Sequence, residues 1–141
     1  MAKLQVELVT TEGRVLSQEA DFVRAPGLGG ELGVLPRHIP LLTPLKTGEV
    51  MVRNNGEEEH LFVAGGFLEI LPEKVVILAD AAERAEDIDN ARAEEARRRA
   101  QQLLEQNSQD AEAAASLERA MFRVRVAELR RHRRRERPPA E

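Results

Sequence analysis

The sequence predicts an α+β protein, with an N-terminal antiparallel β-sandwich of about ten strands followed by a C-terminal antiparallel two-helix hairpin. Up to about residue 79 apolar residues recur at every second position, the period of a half-buried strand. Beyond that point they recur at every third or fourth position, the period of a helix. Turn signals separate the short runs of the first part. We therefore expect a sandwich domain over residues 1–86, a helical hairpin over 87–135 and a disordered tail over 136–141.

The strands are predicted from alternation and from the turns between them. Leu4, Val6 and Leu8 alternate with polar residues, which is typical of a half-buried strand. The segment 26–30, Pro-Gly-Leu-Gly-Gly, is expected to be irregular, because proline and glycine suit neither a ladder nor a helix interior. Asn55-Gly56 tolerates positive φ and predicts a tight hairpin. The expected strands are 3–10, a short return from Val15, 20–25, short proline-broken pieces over 30–45, then 48–53, 59–64, 67–71 and 74–79.

Two helices follow, separated by a short loop at 107–110. Asp87 is a plausible N-cap for a first helix from Ile88 to about Glu105. Ser108 or Asp110 would cap a second helix that ends near Arg134. The expected apolar stripes are Ile88, Ala91, Ala96, Ala100, Leu103 and Leu104 in the first helix, and Ala114, Leu117, Ala120, Met121, Val124, Ala127 and Leu129 in the second. Because alanine buries little area, we expect a weakly held hairpin that could act as a switch.

The composition limits the possible functions. The 141 residues include no cysteine, so a thiolate metal site and a cysteine nucleophile are excluded. The net charge is -4, yet residues 119–137 hold nine arginines against two glutamates, which predicts an acidic partner, whether protein, nucleic acid or lipid. No apolar run approaches the roughly 20 residues needed to span a bilayer, so we expect no direct membrane insertion.

No catalytic constellation is recognisable. His38, His60 and His132 lie in different predicted elements and outside metal-ligand spacings. The glycine-rich segment 27–30 lacks the Gly-Lys-Ser/Thr of a phosphate-binding P-loop. Tyrosine and tryptophan are absent, which weakens base stacking as a way to bind nucleic acid. We expect neither an active site nor a metal site.

A set of arginines does predict a ligand site. Arg92 and Arg99 are seven residues apart on one helix, and Arg119 and Arg123 are four apart on the other, so each pair shares a face. In an antiparallel hairpin the four guanidiniums could converge, and converging guanidiniums bind phosphates. Asp89 and Glu83 nearby could accept hydrogen bonds from a base or a sugar.

Two segments are similar to a known family. GELGVLPRHIPLLTPLKTGEV (30–50) and VAGGFLEILPEKVVILADAAERAEDIDNARAEEA (63–96) resemble the epsilon subunit of F-type ATP synthases. The first resembles that family's Gly-Glu-Leu-Gly-Ile-Leu-Pro-Gly-His loop, with Arg37 where glycine is usual. The second contains Ile-Asp-Asn-Ala-Arg-Ala, similar to the Ile/Leu-Asp-x-x-Arg-Ala ATP-binding motif of bacterial members. The resemblance covers residues 3 to about 130 and leaves out the arginine-rich end.

The resemblance implies a non-catalytic, regulatory and rotor-coupling subunit. It sits peripherally at the cytoplasmic face of the bacterial membrane, with its sandwich against the gamma subunit and the c ring, and it needs no cofactor. Its hairpin inhibits ATP hydrolysis when extended towards the alpha and beta subunits, and ATP as a regulatory ligand favours the folded state. The ATP contacts implied by the resemblance are Glu83, Ile88, Asp89, Arg92, Ala93, Arg99, Arg119 and Arg123. The implied partner contacts are Glu31 and His38 on loops facing the c ring, and Arg123, Arg130 and Arg131 facing an acidic loop of the beta subunits.

Two alternatives remain at this stage. One is a free-standing ATP-sensing module, which would not co-purify with a rotary ATPase. The other is a nucleic-acid binder that uses the arginine-rich end and would show salt-dependent binding to DNA or RNA.

Overall fold

A computed structural model describes the backbone of residues 2–136 and the side chains of residues 2–128. The chain divides into two compact units that meet between Arg84 and Ala85. The first unit contains the strands and the second contains the helices, as the change of hydrophobic period predicts.

The first unit is a ten-stranded, mostly antiparallel sheet folded into a sandwich, which confirms the predicted class. One layer has the strand order β4-β3-β6-β7-β10 and the other has the order β5-β8-β9-β1-β2. Only the pair β1 and β9 is parallel. The strands are β1 (Leu4–Thr10), β2 (Gly13–Ala20), β3 (Phe22–Gly27), β4 (Gly30–Val34), β5 (Leu41–Leu45), β6 (Gly48–Asn54), β7 (Glu57–Val63), β8 (Gly66–Ile70), β9 (Lys74–Ala79) and β10 (Ala82–Arg84).

The core lies between the layers and consists of the inward side chains of each strand. In β1 every second residue is fully buried, and β9 repeats this alternation with Val75 and Ile77. Because the side-chain period of a strand is two residues, the alternation in the sequence fixes which face is buried. The core residues are Leu4, Val6, Leu8, Leu16, Ala20, Val23, Ala25, Val34, Leu45, Val50, Val52, Leu61, Val63, Leu68, Ile70, Val75, Ile77 and Ala79.

The segment 26–30 is more regular than predicted. Strand β3 continues through Pro26 and Gly27, and only residues 28 and 29 form the turn into β4. Pro26 has no N–H to donate, but its carbonyl accepts a hydrogen bond from Lys46 N at 3.0 Å. A Cβ atom at Gly27 would lie 2.8 Å from the carbonyl oxygen of Gly30, so the close strand approach needs glycine there. The sequence prediction was wrong because it treated both residues as ladder breakers, although β3 joins the two layers here through the Gly27–Leu45 pair.

The opposite edges of the layers, β10 and β2, are joined by a side chain instead of a ladder. The pairing of β1 with β2 shifts register at Leu8 and Val9, which leaves Val15 as the extra residue of a β-bulge. The carbonyl of Val15 accepts hydrogen bonds from Arg84 Nε at 3.3 Å and Arg84 Nη2 at 3.0 Å. Arg84 thus ties β10 to β2 at the last residue of the first unit. The sequence did not predict β10, which is only three residues long.

A second tie links β1 to the β6–β7 hairpin. The predicted hairpin is confirmed, with Asn55 (φ 53°) and Gly56 (φ 83°) as its two-residue turn and with strands that come closer to the turn than expected. Lys3 Nζ donates to Asn54 Oδ1 at 2.8 Å and to Asn55 Oδ1 at 3.0 Å, and it also pairs with Asp21. The hydrogen bonds from Lys3 and from the Asn55 backbone N–H lower the pKa of Asp21.

The second unit begins with a single 3₁₀ turn, Ala85–Asp87, and continues with α1 (Asn90–Gln106) and α2 (Ala111–Glu136). The predicted cap at Asp87 was wrong, because Asp87 belongs to the 3₁₀ turn and Asp89 is the N-cap of α1. Asp110 was predicted as one of two possible caps for α2, and its carboxylate accepts from Ala113 N at 3.0 Å. Helix α2 extends beyond Arg134 to Glu136, the first residue of the predicted tail. The rest of that tail, residues 137–141, lies outside the described part of the chain.

The buried faces of the helices differ from the predicted stripes. Ala91, Leu103, Ala114 and Met121 are exposed, and Leu129 lies outside the described side chains. Alanines occur on several faces of both helices, so the apolar pattern fixes the buried face poorly. The buried residues are Ala85, Ile88, Ala93 and Ala100 in and before α1, and Ala113, Ala120, Val124, Val126 and Ala127 in α2.

Candidate functional site

The start of α1 holds four of the predicted ATP contacts. Asp89 Oδ1 accepts hydrogen bonds from the backbone N–H groups of Ala91 at 3.0 Å and Arg92 at 3.3 Å. The carboxylate of Asp89 therefore occupies two of the backbone N–H groups at this helix end, which would otherwise be available to bind an anion. Ile88 and Ala93 are buried, and Arg92 is exposed. A polyphosphate at this place would therefore rely on arginine side chains instead of the helix N-terminus.

The four arginines occupy two levels of the helical hairpin. Helices α1 and α2 pack against each other across the short loop at 107–110. Arg99 lies seven residues before the end of α1, and Arg119 lies eight residues after the start of α2. Arg92 lies fourteen residues before the end of α1, and Arg123 lies twelve residues after the start of α2. At a rise of 1.5 Å per residue, Arg99 and Arg119, and likewise Arg92 and Arg123, differ in height along the helix axes by about 1.5–3 Å.

Two of the four arginines, Arg99 and Arg119, have weak local partners. Arg99 Nη2 lies 2.8 Å from Glu95 Oε1, with both side chains about two-thirds exposed. Arg119 Nη2 donates to Ser116 Oγ at 3.1 Å. Arg92 forms no side-chain hydrogen bond or ion pair among the described residues. Exposed pairs such as Arg99–Glu95 are worth little, so these guanidiniums could exchange their partners for a phosphate at low cost.

Glu83 belongs to the other unit. It lies in β10 opposite Phe62 of β7. The prediction that Glu83 joins the hairpin residues in one site therefore stays a prediction.

The two predicted c-ring contacts have different backbone settings. Glu31 was expected on a loop, which is wrong, because it lies in β4 opposite Pro26, with its carboxylate 3.7 Å from Arg24 Nε. Because the turn occupies only residues 28 and 29, β4 begins at Gly30, and Glu31 is already its second residue. His38 does lie in a loop, between β4 and β5, where its Nδ1 is 2.6 Å from the carbonyl oxygen of Ile39. Arg130 and Arg131 lie in α2, and their side chains are outside the described part.

A charged network on β3, β6 and β7 was missed from the sequence. Glu49 Oε1 accepts from Arg24 Nη2 at 2.6 Å and lies 3.1 Å from His60 Nδ1. His60 Nε2 lies 3.2 Å from Glu58, which also pairs with Arg53 at 3.0 Å. Its members come from three strands, and Arg24 and Glu49, which are in direct contact, are 25 residues apart, so no local motif signals them.

The network perturbs two carboxylates. Burial raises the pKa of Glu49, but hydrogen bonds and charge from His60 and Arg24 outweigh it, so the pKa is lowered overall. The hydrogen bond from Arg53 lowers the pKa of Glu58. Both glutamates therefore remain ionised and keep the network intact near neutral pH.

An apolar face on the second layer of the sandwich was also missed. Pro44 lies opposite Phe67, Phe67 opposite Leu78, and Leu78 opposite Val9, so four strands contribute to one row. Phe67 is 53% exposed and Leu78 is 54% exposed, and Leu42 at 66% extends the row along β5. This row of exposed apolar side chains is a candidate interaction site. The sequence predicts this outer apolar face poorly, because alternation shows only that one face of each strand is buried in the core.

No metal site or membrane span is found in the described part of the chain. Among residues 2–128 no three histidine, aspartate or glutamate side chains could hold a metal ion together. None of the described helices is long and apolar enough to cross a bilayer.

Comparison with known proteins covers both units. Residues 3–85 match the family model of the ATP synthase delta/epsilon chain β-sandwich domain, and residues 86–128 match that of its long α-helix domain. An ATP synthase epsilon chain of Dehalococcoides mccartyi is 51% identical over 135 residues, covering 93% of this chain and 96% of the relative. That of Herpetosiphon aurantiacus is 50% identical, covering 92% and 98%.

Solved structures share the fold. A chain of the Euglena gracilis mitochondrial ATP synthase, in a cryo-EM structure of OSCP, F1 and the c-ring, aligns with a TM-score of 0.67 at 20% identity. The alignment covers 94% of this chain and 82% of that one. Family models that together match residues 3–128, and relatives half identical over nearly their full length, agree with the strand-then-helix architecture. The chain belongs to the ATP synthase delta/epsilon family, as a bacterial epsilon chain.

Proposed function

We propose that this chain is a non-catalytic regulatory and rotor-coupling subunit of an F-type, proton-translocating ATP synthase. In this proposal the sandwich docks on the gamma subunit and the c ring, and the helical hairpin restrains ATP hydrolysis when it extends towards the alpha and beta subunits. The chain then lies peripherally at the cytoplasmic face of the bacterial membrane. The observation that carries the proposal is the apolar face on β5, β8, β9 and β1, together with membership of the family.

The apolar face supports docking of a protein partner. Leu42, Phe67 and Leu78 are each more than half exposed, and burying the exposed part of each side chain contributes about 1–2 kcal/mol. The row stands on a sheet whose other side is the core, so it is held rigidly and needs little ordering on binding. We assign this face to the gamma subunit, and the loop that carries His38 to the c ring.

The arginines of the hairpin support ATP as the regulatory ligand. Arg92 without a side-chain partner, and Arg99 and Arg119 with weak ones, can supply bidentate contacts to a triphosphate. A ligand that binds one state of the hairpin shifts the equilibrium by its differential affinity. ATP therefore favours the folded hairpin and relieves inhibition, while the chain needs no cofactor.

Docking is tested by measuring the affinity of the chain for purified gamma subunit. Leu78→Ser should weaken binding about tenfold or more, because an anchor of the apolar row is lost. Leu103→Ser is the matched control, since Leu103 is 51% exposed but lies in α1. Equal affinities for wild type and Leu78→Ser would contradict the assignment of this face. Failure of the wild type to bind gamma at all would favour a free-standing ATP-sensing module.

ATP binding is tested by calorimetry on the isolated full chain. Removing a bidentate contact to a phosphate costs about 1.5–3 kcal/mol, so Arg92→Ala should weaken binding at least about tenfold. Arg98→Ala is the matched control, because Arg98 is an exposed arginine on another face of α1. If both variants bind ATP as tightly as the wild type, the site assignment is wrong. ATP should also raise the melting temperature.

A further inference from the structure

The connection between β4 and β5 contains a turn with an unusual residue. His38 N donates to the carbonyl of Leu35 at 3.2 Å, which closes a four-residue turn. Pro36 is its second residue, and Arg37, with φ 70°, is its third. This is the arrangement of a type II turn, in which the third residue needs positive φ and is normally glycine.

The arginine brings strain that no interaction of its side chain within the described residues offsets. A residue with a Cβ atom is disfavoured at positive φ. The backbone N–H of Arg37 donates to the carbonyl of Pro72 at 2.7 Å, but any residue except proline could make that bond. The side chain is exposed, lines an open cleft with Lys3, Pro72 and Glu73, and has no hydrogen bond or ion pair to any side chain or backbone group within the described residues.

The neighbours of Arg37 suit a protein interface. Leu35 is 61% exposed and Ile39 is 75% exposed, so aliphatic side chains flank the guanidinium on both sides along the chain. Arginine surrounded by apolar side chains is typical of the energetically important centre of an interface. The bond to Pro72 ties the turn to the β8–β9 connection, which fixes its position before any partner arrives.

The net negative charge of the first unit favours a protein partner over a lipid surface. Residues 1–84 carry 8 basic and 13 acidic residues, so this unit as a whole is negative. Such a unit is repelled from an anionic membrane surface, whereas one exposed arginine can still pair with a single carboxylate. A protein surface with an acidic side chain next to apolar ones fits better than a lipid surface.

We propose that Arg37 is a docking residue, which binds a carboxylate of the protein partner seated on the β4–β5 connection. The identity of that partner as the c ring rests on the proposed function above. The strain at this turn is retained because the arginine side chain contributes to binding, not to folding.

Arg37→Gly separates binding from folding, because the two effects have opposite signs. Glycine removes the strain but also raises the entropy of the unfolded chain, so the melting temperature of the full chain should rise by about 2–4 °C. The same change removes the guanidinium, so affinity for a purified rotor of gamma subunit and c ring should fall about tenfold or more. Arg37→Lys should keep part of the affinity, because it keeps the charge without the planar fork.

Asn55→Gly is the matched control, since Asn55 is the other non-glycine residue with positive φ among the described residues. It should leave rotor affinity unchanged. Equal rotor affinity for wild type and Arg37→Gly, with the wild type binding normally, would overturn this inference and leave the proposed function intact. A wild type that does not bind the rotor would overturn both. Arg37-dependent binding to phosphatidylglycerol vesicles, with unchanged rotor affinity, would also overturn it and point to lipid.

Discussion

The sandwich and the helical hairpin of this chain are stabilised in different ways. The sandwich buries leucine, isoleucine and valine between two layers, and its edges are tied by Arg84 and Lys3. The hairpin buries mainly alanine with a few valines. Each buried methylene contributes about 0.8 kcal/mol, so a leucine stabilises far more than an alanine. This difference supports the proposed function, in which the sandwich is the docking platform and the hairpin is the element that rearranges.

The largest expected effect tests the rigidity of the platform. Leu68 is fully buried in β8, so Leu68→Ala should lower the free energy of unfolding of the sandwich by about 2–5 kcal/mol. Phe67→Ala, one residue earlier on the outer face, should cost much less because Phe67 is half exposed. Urea unfolding of both variants measures the difference. Similar losses for the two would mean that the outer face is packed as tightly as the core.

The next effect concerns the tie between the sandwich edges. Arg84→Met should cost about 1–3 kcal/mol, because the bulge carbonyl of Val15 loses its charged donor. Hydrogen exchange should accelerate in β10 and β2 and remain slow in β8 and β9. Uniform acceleration through all strands would show that Arg84 supports the whole sandwich instead of one seam.

The cap of α1 provides a smaller effect, confined to the hairpin. Asp89→Ala should destabilise the start of α1 by about 0.5–2 kcal/mol, because Asp89 caps two backbone N–H groups. Asp87→Ala, two residues earlier in the 3₁₀ turn, should be nearly neutral. Helicity and hydrogen exchange of α1 report the difference. A larger loss from Asp87→Ala would restore the cap that the sequence first indicated.

The smallest effect is on pH dependence. The pKa values of Asp21, Glu49 and Glu58 are lowered in the fold, so their stabilisation is full above the ordinary values of 3.8 and 4.5. It is lost as the pH falls through the lower folded values. Stability of the sandwich should therefore decline below about pH 4.5. Urea midpoints between pH 6 and pH 3 should fall less steeply for Glu49→Gln than for wild type. Parallel curves would show that the network contributes nothing to acid sensitivity.

Much of the fold could be predicted, because alternation and turn residues act locally. The Asn55-Gly56 turn and the strands on both sides of it follow from conformational preference alone. The β3–β5 junction could not be predicted, because Pro26 and Gly27 are used there for a contact with a distant strand. Strand β10 could not be predicted either, because it is short and is held by its pairing with β7 and by the hydrogen bonds of Arg84. Neither contact is visible in the local sequence pattern.

The candidate site could be predicted only in part. The helical period places Arg92 with Arg99 and Arg119 with Arg123, and the hairpin brings them to matching levels. The structure shows Asp89 as the N-cap of α1, which the sequence had placed at Asp87, and its predicted contact with ATP stays a prediction. The apolar face of β8 and β9 was missed, because the sequence does not distinguish an outward apolar residue from a core one.

The proposal that the sandwich docks and the hairpin regulates hydrolysis is tested most directly by truncating the chain after Asp87. Steady-state ATP hydrolysis by the reconstituted catalytic head should be compared with full-length chain, truncated chain and none, at low and high ATP. We expect both forms to bind gamma equally, because the apolar face lies in the first unit. Full-length chain should inhibit hydrolysis, less so at high ATP, and the truncated chain should not inhibit. Equal rates with both forms at every ATP concentration would contradict a regulatory role for the hairpin.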